Sequence, residues 1–138
     1  RLEKSAISLR VSIPDDVLIF ARASELSQVI LNLVSNAADA VQNLPEKWIE
    51  IKAIKSEHKI TIQITDSGNG IATSVVEKMM QPFFSTKEVG KGTGLGLSIS
   101  KGIIESHNGN FYYDGTSEKT RFVIELPVKE TQNDRASA

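Results

Sequence analysis

The sequence contains no cysteine and only two histidines, His58 and His107. Disulfides and thiolate metal sites are therefore excluded, nothing points to an oxidising extracellular setting, and imidazole chemistry is confined to two positions. Aromatic residues are scarce, at 6%. No apolar run approaches the roughly 20 residues that a membrane-spanning helix needs, and no stretch reads as a signal peptide. Lys and Arg number 16 against 17 Asp and Glu, a formal net charge of −1. That balance predicts neither a basic nucleic-acid surface nor an acidic tail. What remains is a chain of 138 residues, 40% hydrophobic and 24% charged, long enough for one core. It opens on Arg1 rather than Met and reads as a fragment.

Apolar periodicity supplies the elements. Ser5 to Ile13 alternates (Ile7, Leu9, Val11, Ile13), Pro14-Asp15-Asp16 turns, and Val17 to Ala21 is a compact apolar run, predicting two short strands. Ser24 offers an N-cap for a helix to Asn43, stopped before Pro45. Ile49–Lys55 and Ile60–Thr65 read as a hairpin, with isoleucines at alternate positions. A short helix from Ala72 to Met80 leads through Pro82-Phe83-Phe84 into a polar, glycine-containing loop. A second long helix runs from Leu95 to Ser106, with Leu95, Ile99, Ile103 and Ile104 expected on its core face. Strands at Asn110–Asp114 and Thr120–Leu126 close a domain of residues 1–129, and residues 130–138 are expected to be a disordered tail. The predicted fold is an α/β two-layer sandwich, a mixed and largely antiparallel sheet covered on one face by helices.

Three stretches carry chemistry. The first long helix is apolar around most of its circumference, but Gln28, Asn32, Ser35, Asn36 and Asp39 make one polar stripe. A solvated face would favour Lys, Glu and Arg; asparagine is a poorer helix former than alanine by roughly half a kcal/mol. Asn32 and Asn36, one turn apart, offer carbonyl oxygens suited to a hard cation such as Mg2+. The second stretch is Asp66-Ser67-Gly68-Asn69-Gly70-Ile71 at a strand end. Its glycines would let backbone approach a flat ligand, although ordinary tight turns use the same residues. No glutamate completes a calcium loop. The third stretch is Gly90-Lys91-Gly92-Thr93-Gly94-Leu95-Gly96-Leu97, which would expose backbone N–H groups at a helix start and so suits phosphate. It is neither a dinucleotide fingerprint nor a Walker loop, since no strand precedes it and Lys91 is followed by Gly92.

Taken together, Asn32-Leu33-Val34-Ser35-Asn36-Ala37, Asp66-x-Gly68-x-Gly70-Ile71, Pro82-Phe83-Phe84-Ser85-Thr86-Lys87 and Gly92-Thr93-Gly94-Leu95-Gly96-Leu97 resemble the N, G1, F and G2 boxes of sensor histidine kinases. These kinases belong to a superfamily with a Bergerat-type ATP-binding fold. The resemblance runs from Ala6 to Pro127, and the aromatic box looks most like kinases of the nitrogen-regulation type. It implies a cytoplasmic catalytic domain that binds Mg-ATP and passes the γ-phosphate to a histidine on separate dimerisation helices, which in turn serve a response-regulator receiver domain. By the same resemblance, Asp66 accepts the adenine 6-amino group, while Gly68, Gly70 and Ile71 lie against the ring. Asn36, with Asn32, holds Mg2+, and Thr120 joins the adenine site through water. Gly92, Thr93, Gly94, Leu95 and Gly96 line the triphosphate, and Ser85 to Lys91 form a lid carrying Thr86, Lys87 and Lys91.

Two departures from the family pattern matter. Asp39 stands where many members carry a basic residue, which shifts the expected γ-phosphate contacts to Lys87 and Lys91. Neither His58-Lys59 nor His107-Asn108 has an acceptor context, so both histidines read as structural or surface residues and the fragment is expected to be a monomer that cannot phosphorylate itself. Related conformational ATPases place a glutamate at the position of Asn32 to activate water. An ATP-gated module of that kind, an anti-sigma-type serine kinase and a non-catalytic binding domain remain the alternatives.

Overall fold

The computed structural model describes residues 6–13, 23–81 and 96–127. The predicted strand at Val17–Ala21, the Phe83-Phe84 segment, the lid and the tail lie outside them. Within them the order is β1 (Ser8–Ser12), α1 (Ala23–Val41), β2 (Trp48–Lys55), β3 (Lys59–Asp66), α2 (Thr73–Met79), α3 (Gly96–Ser106), β4 (Asn110–Tyr113) and β5 (Arg121–Pro127). The strands form one sheet in the order β1-β2-β3-β5-β4. β1 runs parallel to β2, which requires a crossover connection, and that connection contains α1; the other neighbours are antiparallel. The α/β sandwich read from the sequence is the fold observed.

Register explains the core. Ile51 faces Ile64 and Ala53 faces Ile62 across β2–β3; Ile60, Ile62 and Ile64 face Leu126, Ile124 and Phe122 on β5. Because side chains alternate, this puts one apolar row from each strand on the same face. α1 covers that face over β2 and β3, and α3 covers it over β4 and β5. Val29, Leu33, Ala37 and Val41, spaced by four, are the buried ridge of α1. α3 ends where Asn108 takes a left-handed conformation (φ 64) and the Gly109 N–H returns to the Ile104 carbonyl at 2.9 Å.

Several expectations need correction. α1 begins at Ala23, so Ser24 lies in its first turn and not at the cap, and the helix ends at Val41, short of Asn43. On α3 the buried residues are Leu97, Ser100 and Ile104; Ile99 is 38% exposed, because the face is set by packing against α1. Ile103 is only partly buried against the core, and Leu95 lies outside the described residues. Leu9 and Val11 are in register with Ile49 and Ile51, yet each is 56% exposed. The helices cover β2 to β5 and leave the apolar row of the edge strand bare.

Candidate functional site

The strand order builds the first half of the site. β5 lies between β3 and β4, so the end of β3 adjoins the start of β5. The Asp66 N–H donates to the Thr120 carbonyl at 2.8 Å, and the Thr120 N–H donates to the Gly68 carbonyl at 3.1 Å. Asp66 is only 4% exposed and Thr120 6%. The Gly68 N–H donates to Asp66 Oδ1 at 2.7 Å. The Thr120 hydroxyl bonds the Asp66 carboxylate and accepts the Gly70 N–H at 2.9 Å. A Cβ on Gly68 would sit 2.9 Å from Asp66 Oδ1 and 3.1 Å from Thr120 Oγ1, so any side chain there would displace one of them. Gly70 has φ +98, a conformation that other residues rarely adopt. Both glycines are therefore required by this turn.

Burial pushes the Asp66 carboxyl above its ordinary value. The Gly68 N–H, the Lys119 ammonium and the Thr120 hydroxyl pull it back without cancelling that effect. A carboxylate held dry at a strand end, with bonding capacity beyond its internal partners, suits a ligand that donates hydrogen bonds. Three residues that sequence reading missed complete the turn. Ser67 Oγ donates to the Glu46 carbonyl at 2.9 Å and accepts the Trp48 N–H at 3.2 Å. The Tyr113 hydroxyl accepts the Ile71 N–H at 2.8 Å. Lys119 Nζ donates to Asn69 Oδ1 at 3.1 Å and to the Ser67 carbonyl at 3.4 Å. Ser67 falls inside the Asp66–Ile71 stretch but had no role there, and no local motif marks Tyr113 or Lys119; the partners of all three lie 19 to 52 positions away.

The second half lies between α1 and α3. Asn32 Nδ2 donates to Oγ of the fully buried Ser100 at 3.4 Å. One turn along each helix, a Cβ on Gly96 would come within 3.9 Å of Asn36 Nδ2. The polar stripe of α1 is thus divided. Asn32 and Asn36 are half-buried against α3, whereas Gln28, Ser35 and Asp39 are exposed. With its amine committed to Ser100, Asn32 keeps its carbonyl oxygen as the group available to a ligand. Two asparagine side chains near the start of α3 carry amide oxygens of the kind that suits a hard cation accompanying phosphate. Among the described residues no cluster of three His, Cys, Asp or Glu could hold a metal ion. Thr86, Lys87, Lys91, Gly92, Thr93, Gly94 and Leu95 lie outside the described residues.

The two histidines lie in different settings. The His58 side chain is 81% exposed beside Glu57. The His107 side chain is 9% exposed, with Nδ1 2.8 Å from the Ile103 carbonyl and Nε2 4.0 Å from Glu25.

The architecture is thus a mixed sheet with two helices on one face and a buried carboxylate in a glycine turn at the end of β3. Residues 21–130 match the model of the histidine kinase-, DNA gyrase B-, and HSP90-like ATPases, and the chain belongs to that family. The two-component sensor PprA of Pseudomonas aeruginosa is 33% identical over 92% of this chain and 14% of its own length. Sporulation kinase B of Bacillus subtilis is 34% identical over 89% of this chain and 28% of its own length. The solved catalytic domain of histidine kinase ThkA superposes with a TM-score of 0.76 at 30% identity, covering 94% of this chain and 85% of that one. The chain therefore spans under a third of the two full-length relatives. A two-component sensor, a sporulation kinase and a histidine kinase do not single out the nitrogen-regulation subfamily. Among the described residues no helix is long and apolar enough to cross a membrane.

Proposed function

We propose that this domain binds Mg-ATP and transfers the γ-phosphate to a histidine on a separate helical dimerisation domain, which then serves a response-regulator receiver domain. The observation that carries the reading is the buried Asp66 carboxylate, framed by Gly68, Gly70 and Thr120. Asp66 accepts the adenine 6-amino group, and the bare Gly68 backbone lets the ring approach. Asn36 and Asn32 hold Mg2+, which supplies neutralisation of the phosphate charge. The Asn32 amide has no basic group with which to activate water, so the site holds the nucleotide until an imidazole acceptor is aligned with it. Gly92 to Gly96 receive the triphosphate, and Lys87 with Lys91 contact the γ-phosphate. The ATP requirement goes with a cytoplasmic domain, and the chain acts as a monomer on acceptor helices supplied by its parent protein.

The test mixes the chain, labelled ATP and the isolated acceptor helices. Acid-labile, base-stable label on their histidine is the expected outcome. Hydrolysis by the chain alone, without such label, would overturn the reading and favour a conformational ATPase.

A further inference from the structure

We propose that Lys119 is a positioning residue of the base-recognition turn, tying Ser67 and Asn69 to the start of β5 and tuning how strongly the site takes an adenine nucleotide. The proposal rests on the reading of Asp66 given above. Two consecutive residues just before β5 reach into the turn. Thr120 binds the Asp66 carboxylate and the Gly70 N–H, while Lys119 reaches the Ser67 carbonyl and the Asn69 amide oxygen. The two residues that Lys119 ties therefore flank Gly68, whose N–H bonds Asp66 Oδ1 at 2.7 Å. Displacement of either flank would move that N–H and the plane on which a base must lie.

The same ammonium acts on Asp66 through space, favouring the charged carboxylate that burial opposes. Other charged side chains around the turn have other partners or face solvent. Arg121 bonds Thr65 and Asp114, Lys47 bonds the Leu44 carbonyl, and Glu46 and Glu118 are exposed. Lys119 is the one cation acting on Asp66 among the described residues, and it is itself half-buried. Removal of it should loosen the turn and make Asp66 easier to protonate.

The experiment follows the Asp66 side-chain carboxyl carbon by NMR through a pH titration of the nucleotide-free 138-residue chain, as wild type, K119M and K119R. Calorimetry then measures ADP affinity from mildly acid to neutral pH, and the amide spectrum reports whether each variant is folded. K119M should move the Asp66 titration to higher pH. It should weaken ADP about two- to fivefold at neutral pH, and more at acid pH, while K119R restores the titration and most of the affinity. A titration that K119M leaves in place overturns the proposal, as does a shifted titration with unchanged ADP affinity. A wild-type chain that takes no adenine nucleotide overturns the nucleotide reading and this proposal together, a result distinct from failure at Lys119.

Discussion

Asp66→Asn separates the role of the carboxylate in recognition from its role in stability. The variant keeps the shape of the side chain and an oxygen for the Gly68 N–H, which lies 2.7 Å from Oδ1 in the wild type. It loses the negative charge and presents an NH2 group where the adenine amine also donates. Loss of a hydrogen bond to a charged acceptor costs about 1.5–3 kcal/mol, or roughly 10- to 150-fold in affinity. Asp66 is 4% exposed, so water cannot take over as acceptor and the upper part of that range applies. Guanine carries a carbonyl oxygen at the same position and can accept from the new amide. The preference for adenine over guanine should therefore collapse along with ATP affinity.

Stability should move the other way. The folded-state pKa of Asp66 is raised, chiefly by burial. Its favourable contribution is then complete below the ordinary carboxyl value and is lost as pH rises through the folded value. The charged carboxylate that forms as pH rises favours folding less than the protonated group, and the neutral amide of the variant would carry no such penalty. Unfolding of both proteins in denaturant across pH should show D66N gaining on wild type as pH rises. Calorimetry with ADP and GDP supplies the binding arm. ADP affinity within twofold of wild type, or a stability difference that moves against D66N with rising pH, would refute the reasoning.

Other outcomes follow from the same geometry. Gly68→Ala forces a methyl to within 2.9 Å of Asp66 Oδ1, and should cost about 1–3 kcal/mol of stability together with nucleotide affinity, read by unfolding and calorimetry. Gly109→Ala drives a methyl into the Glu125 carbonyl, far from the turn; it should lower the unfolding midpoint at least as much while folded protein binds ADP normally. Asn36→Ala should remove the Mg2+ dependence of phosphoryl transfer, with adenosine binding retained in a metal-free titration. His107→Asn should destabilise the junction of α1 and α3 by up to about 1 kcal/mol and leave transfer to added acceptor helices intact; abolished transfer would make His107 more than structural.

The sequence made the elements legible wherever one physical rule governed them. Strand periodicity of two placed Ile60, Ile62 and Ile64 on the core face, and the register across β5 agrees. It placed Leu9 and Val11 on the same kind of row, but alternation says which residues share a face and nothing about whether another layer reaches it. Helical periodicity failed at Ile99 for a related reason. α3 buries Ser100 in place of an isoleucine because Asn32 supplies a polar partner, and hydrophobicity alone cannot rank a serine above an isoleucine.

The site divides along the same line. Asp66, Gly68 and Gly70 were visible because their backbone demands are local, and they lie within five residues of one another. Thr120 was reached through the family resemblance alone, and Lys119 and Tyr113 carried no signal at all. What joins them to the turn is the position of β5 between β3 and β4, a property of strand order that no window along the chain contains. That order also explains why the turn can hold a carboxylate that would be costly if left alone. The β4–β5 connection brings a hydroxyl and an ammonium to one side of it, and β4 brings a phenol hydroxyl to the backbone just beyond. In the proposed reading, specificity for a base would be built from two distant segments of chain, one supplying the acceptor and the other fixing its charge and direction.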